Sequence, residues 1–123
     1  MSGEVMVAEQ AFDLALIEVG DHPVLVVYGE VDAVTAPKLH EALTALVAAG
    51  HPRVLVDLAN VTFIDSSGLT ALVVAHRHLE ESGGELRLVS VPDSVGKLFS
   101  FAGLDKRFQI FPTVERATEP THS

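Results

Sequence analysis

Asp65-Ser66-Ser67-Gly68-Leu69 is the segment of this 123-residue chain whose residue types could do chemistry, with two hydroxyls and a carboxylate between an apolar run and a helical pattern. Ser and Asp at such a junction serve as helix N-caps, because their oxygens accept backbone N–H groups that the first turn leaves unpaired. A hydroxyl there is also a modifiable group. Phosphate on it would add about −1.5 to −2 charge, gain from the helix N-terminal dipole and lie beside Asp65, where it would repel an acidic partner surface.

Other chemistries find less support. A serine hydrolase would need a base oriented toward Ser66, but His76 and His78 lie ten or more residues onward. Adjacent Asp and Ser side chains do not form a triad, and no Gly-x-Ser-x-Gly elbow is present. His76 and His78 are two apart, so they diverge by about 200° around a helix and do not form a metal pair. His22, His40 and His51 are scattered singly and read as surface or cap residues, as does His122. Neither Gly29 nor Gly83-Gly84 belongs to a phosphate-loop pattern. Glu30 and Asp32 form an acidic turn after a strand. Phe99 and Phe101, two apart on a short helix, cannot both face the core. One is core and the other an exposed partner contact, and Phe99 is assigned to the partner surface.

The elements that must position these residues follow from periodicity. Phe12 to Val19 and Val24 to Tyr28 read as a hairpin about Gly20-Asp21-His22-Pro23. Leu39, Leu43, Leu46 and Val47 mark a helix, with Thr35 as N-cap, Pro37 in the first turn and Gly50 and Pro52 at its end. Val54 to Leu58 reads as a central strand, and Val61 to Ile64 is a further run leading into the Asp-Ser-Ser segment. Leu69, Leu72, Val73, His76 and Leu79 then follow at helical spacing up to Gly83-Gly84. Leu86 to Val91 is another strand, Val95, Leu98, Phe99 and Ala102 a third helix, and Phe108 to Phe111 a last strand. The order predicts an α/β fold, a mixed sheet of four to five strands packed with three to four helices. Residues 12–112 form the domain, residues 1–11 an N-terminal tail and residues 113–123 a C-terminal tail expected to fray.

Composition bounds the function. The length suits one domain, and 48% hydrophobic residues suffice for a core. With no cysteine, disulfides, thiolate metal sites and cysteine nucleophiles are excluded. Seventeen acidic against eight basic residues give a net charge of −9, which disfavours nucleic acid and anionic lipid. No stretch is long and apolar enough for membrane insertion, and Met1-Ser2-Gly3-Glu4 lacks a basic secretory n-region, so a cytoplasmic location is expected. Neither catalysis nor a cofactor is expected.

Gly29-Glu30-Val31-Asp32 followed by Thr35-Ala36, then Val54-Leu55-Val56-Asp57-Leu58 running into Phe63-Ile64-Asp65-Ser66-Ser67-Gly68-Leu69, resembles the STAS domain, and within it the bacterial anti-sigma factor antagonists. The resemblance spans residues 12–112; the segment from Pro92 to Gly103 also looks like that family's. It implies a non-enzymatic switch. The unphosphorylated antagonist binds an anti-sigma factor that is also a serine kinase and frees the sigma factor; phosphorylation switches it off, and a metal-dependent serine/threonine phosphatase resets it. The implied acceptor is Ser66, with Ser67 second. Asp65 helps shape the acceptor turn, and Glu30 and Asp32 fall on a loop near the serine. The partner surface is thus expected at Glu30, Asp32, Asp65, Ser66, Ser67, Gly68 and Phe99. The alternative is a constitutive docking subunit, like the small STAS components of transporter assemblies. Family domains commonly close with a helix, whereas Glu119-Pro120 leaves room here for little more than a turn.

Overall fold

The β-branched and leucine-rich runs all become strands of one sheet. The computed structural model describes residues 11–119; most of the expected N-terminal tail, together with Pro120 and His122, lies outside the described residues. Strand β1 (Asp13–Val19) pairs antiparallel with β2 (His22–Val31) across the Gly20-Asp21 turn. Strand β2 then pairs parallel with β3 (Arg53–Ile64), β3 with β4 (Glu85–Val89) and β4 with β5 (Gln109–Phe111), giving the order β1-β2-β3-β4-β5. Helices α1 (Ala36–Ala48), α2 (Ser66–Glu81), α3 (Asp93–Phe101) and α4 (Val114–Thr118) complete the predicted mixed α/β architecture.

Alternation along the strands divides the core. Leu25, Val27, Val56, Leu58 and Leu88 join Leu39 and Leu43 of α1, Leu72 and Leu79 of α2, and Val95 and Phe99 of α3. Val24, Val26, Leu55 and Val89 face the other way and meet Ala117 of α4. The two apolar runs expected around residues 54–64 are one twelve-residue strand. A register slip between Val26 and Tyr28 absorbs its exposed interruption at Ala59-Asn60, and a second between Gly29 and Glu30 absorbs Thr62, as bulges do. Gly29 carries one of these irregularities at φ +88°, a conformation that suits glycine.

The C-terminal segment departs from expectation. Instead of fraying from residue 113, it forms α4, with the Thr113 hydroxyl accepting the Arg116 N–H at 3.1 Å and Ala117 fully buried. The physical reason lies in Arg87, which is only 5% exposed. A buried guanidinium must be paired and hydrogen-bonded. Its Nη1 donates to the Ala117 carbonyl at 2.7 Å, its Nη2 lies 2.7 Å from Glu85 Oε2, and its plane sits 5.0 Å from the Phe111 ring centroid. Glu85 also accepts from Arg53 Nε at 2.9 Å and from Gln109 Nε2 at 2.8 Å. The folded unit therefore extends past the expected boundary at 112 to Thr118.

Helix α2 lies hard against the ends of β2 and β3. A Cβ at Gly68 would sit 2.5 Å from Ile64 Cγ1 and 2.7 Å from Val31 Cγ1, both on buried β-branched side chains. Gly96, inside α3, has only Val91 Cγ1 at 3.9 Å. Gly68→Ala should destabilise the fold by about 1–3 kcal/mol through overpacking, while Gly96→Ala should stabilise it by roughly 0.5–1 kcal/mol through helix propensity. Urea denaturation of both variants checks this pair, and a neutral Gly68→Ala would contradict the close packing.

Glu85 supplies a pH prediction. Burial pushes its carboxyl up, but the charges and hydrogen bonds of Arg87 and Arg53 outweigh this and hold it below its ordinary 4.5. A lowered folded value means that this stabilisation is complete above the ordinary carboxylate range and is lost as pH falls through the folded value. Denaturation from pH 7 to pH 3 should therefore show a shallower acid limb for Glu85→Gln than for the natural chain.

Candidate functional site

Two loops meet at the C-terminal ends of β2 and β3. The Asp65 N–H donates to the Val31 carbonyl at 3.0 Å, which fixes the β3–α2 turn beside the β2–α1 loop. Asp65, in extended backbone geometry, is the N-cap of α2: its Oδ1 accepts the Ser67 N–H at 2.8 Å and the Gly68 N–H at 3.4 Å. The carboxylate thus satisfies donors that the first helical turn would leave unpaired. Ser66 is the first residue of α2 and is exposed, Ser67 is half-buried and Gly68 is buried. The Thr70 hydroxyl closes the turn by donating to the Ser66 carbonyl at 2.8 Å.

The neighbouring loop is organised by Asp32. Thr35 stands at the N-cap position of α1, as predicted, but its side chain makes no capping bond to the helix. Its hydroxyl donates to the Glu30 carbonyl at 2.8 Å and accepts the Asp32 N–H at 3.0 Å, turning back toward β2. Asp32 Oδ1 accepts the N–H groups of Val34 at 3.0 Å and Thr35 at 3.1 Å. The Thr35 N–H, aided by the Val34 N–H and the Thr35 hydroxyl, holds the Asp32 carboxyl below its ordinary value and outweighs the upward push of burial. The loop carboxylate therefore stays ionised to lower pH than an ordinary aspartate. Glu30 is exposed next to it on β2.

Between the starts of α1 and α2 runs a groove of about 560 Å³, to which α1 contributes Ala36, Pro37 and His40 and α2 contributes Ser66, Ser67 and Thr70. Five of the expected residues, Asp32, Asp65, Ser66, Ser67 and Gly68, thus converge on two touching loops, with Glu30 at their edge. Phe99 does not join them. It is fully buried, its ring 5.7 Å from that of Phe108, while Phe101 is 93% exposed. Placing Phe99 on the partner surface is therefore corrected. Phe99 shares the inward face of α3 with Val95 four residues earlier, and a residue two positions on points away.

His40 and Thr70 are polar groove residues that sequence reasoning did not place at the site. Each lies four residues beyond a residue of its own helix's first turn, Ala36 and Ser66, so helical spacing carried a signal. The pairing of α1 with α2 that makes one groove of them is tertiary. His76 takes no part. It lies about 15 Å along the helix from Ser66 by helical rise, stacks 5.1 Å from Phe108, and places Nε2 3.3 Å from Glu80. Among the described residues no group of three or more His, Asp or Glu side chains is arranged to hold a metal ion, and no helix is long and apolar enough to cross a membrane.

Comparison with known proteins agrees with this arrangement. The family model of the STAS domain matches residues 13–117. An anti-sigma-B factor antagonist of Listeria monocytogenes is 37% identical over 90 residues, covering 73% of this chain and 79% of the relative. One from Staphylococcus aureus strain NCTC 8325 is 38% identical over 76 residues, covering 62% and 70% respectively. The crystal structure of an anti-sigma factor antagonist from Mycobacterium paratuberculosis superposes with a TM-score of 0.79 at 31% identity, covering 87% of this chain and 91% of the other. A five-stranded mixed sheet with four helices, a family model spanning nearly all the described residues and these relatives agree: the chain belongs to the STAS domain family, and the three relatives named above are anti-sigma factor antagonists.

Proposed function

We propose that this protein is an anti-sigma factor antagonist. In its unphosphorylated form it binds an anti-sigma factor with serine kinase activity and releases the sigma factor, and phosphorylation of Ser66 switches it off. The observation that carries this reading is the state of Ser66. Its side chain is exposed at the first position of α2, on a turn pinned by the Asp65 cap and by the Asp65–Val31 backbone bond. A kinase can reach it without unfolding anything. Ser67 is half-buried, and its amide is the main donor to the cap, which makes it the weaker acceptor.

The partner surface in this reading comprises Glu30, Asp32, Asp65, Ser66, Ser67 and Gly68. It carries three carboxylates before modification, and a further charge of about −1.5 to −2 on Ser66 repels acidic groups that the kinase sets against this turn. The protein itself supplies no reaction chemistry in this scheme. The kinase brings the nucleoside triphosphate, and a metal-dependent serine/threonine phosphatase removes the phosphoryl group. The cycle operates in the cytoplasm, where sigma factors act.

Two substitutions test the switch against the purified partner kinase. Ser66→Ala should abolish labelling from radioactive nucleoside triphosphate while leaving kinase affinity within about twofold. Ser66→Asp should weaken affinity by roughly tenfold or more, equivalent to about 1.4 kcal/mol. Labelling that persists in Ser66→Ala would move the acceptor elsewhere, with Ser67→Ala as the next variant. A complex insensitive to Ser66→Asp and unlabelled in every growth condition would identify a constitutive docking subunit instead.

A further inference from the structure

The cap that shapes the acceptor turn also takes up two of the N–H groups that could hold an anion there. A helix N-terminus binds phosphate through its free N–H groups, but Asp65 already occupies those of Ser67 and Gly68. Its carboxylate adds a negative charge directly before Ser66. A positive group from another element would therefore steady a phosphate on Ser66. The groove that Ser66 lines contains one titratable side chain, His40 of α1. Its other walls are hydroxyls of Ser66, Ser67 and Thr70, Ala33 of the preceding loop and the small or apolar side chains of α1 and α2.

We infer that His40 is the counter-charge of a phosphate on Ser66, clamping the modified start of α2 to α1. This deepens the proposed switch and rests on it. Imidazoles change charge in the same pH range in which a phosphomonoester takes up its second proton. The pair is thus strongest when His40 is protonated and the phosphate is fully ionised, each state favouring the other. Neighbouring charges do not replace it. Lys38 and Glu41 flank His40 on α1, and Arg77 and Glu80 follow on α2, but none lines the groove. Asp32, at the loop entering α1, is engaged with Val34 and Thr35, and Asp65 with its cap. His40 is exposed, so replacing it leaves the core intact.

The test uses the full chain with phosphoserine installed at position 66 during translation, followed by phosphorus NMR from pH 5 to 8 at low salt. The phosphate midpoint should lie lower with His40 present than in His40→Gln, by about half a pH unit, as expected for a nearby opposite charge. His40→Lys should restore the low midpoint, and Lys38→Gln should leave it unchanged. Equal midpoints with His40 and in His40→Gln would overturn the inference. So would an equal shift in Lys38→Gln, which would assign the effect to the general field of α1. Because the phosphate is installed without a kinase, failure of the Ser66 assignment appears in the labelling experiment and failure of the His40 pairing appears here.

Discussion

The backbone hydrogen bond from Asp65 to Val31, at 3.0 Å, is the constraint on which the site depends. It ties the start of α2 to the end of β2 and brings together two loops that lie over thirty residues apart in the chain. Contact this close leaves no space for a side chain at residue 68, where Ile64 and Val31 already fill the position a Cβ would take. Gly68 is therefore a packing requirement that also fixes where Ser66 stands. With the helix start fixed, the Asp65 carboxylate falls within reach of the Ser67 and Gly68 amides, and the turn becomes rigid without using the Ser66 side chain.

At the opposite end of the parallel strands a different physical problem is solved. Arg87 points into the face of the sheet that α4 covers, and a buried guanidinium there is costly unless its donors are met. Glu85 meets part of that demand and the Ala117 carbonyl the rest, so a five-residue helix, too short to persist alone, is held by a charge it satisfies. The chain thus concentrates its buried ion pairing away from the acceptor turn.

Features set within one or two turns of chain were legible in the sequence. The hairpin, the three longer helices and a cap within the Asp-Ser-Ser cluster follow from periodicity and from local oxygen-to-amide geometry. What was not legible depended on contacts distant in sequence. Thr35 stands at the expected N-cap position, but the Glu30 carbonyl draws its hydroxyl back toward β2, so it makes no capping bond. Helix α4 could not be foreseen from Val114 to Thr118, because its anchor is Arg87, thirty residues before Ala117. Phe99 and Phe101 were correctly divided into one core and one surface residue, but the surface role went to the wrong ring. The four-residue spacing from Val95 to Phe99, both fully enclosed, carried the information that decides it.

A modification at Ser66 would spare the fold, and this follows from where the turn's bonds are made. The cap uses Asp65 Oδ1, the closure uses the Thr70 hydroxyl on the Ser66 carbonyl, and the link to β2 uses the Asp65 amide. None of these uses the Ser66 hydroxyl. Adding a phosphoryl group there breaks no bond that holds the turn, so its free energy goes into charge and shape at the surface. The same group on Ser67 would enter a half-buried position beside the capped amide and would compete with Asp65 for the helix start. Two adjacent serines of the same chemical type thus stand in different surroundings, one exposed and one half-buried beside the capping carboxylate.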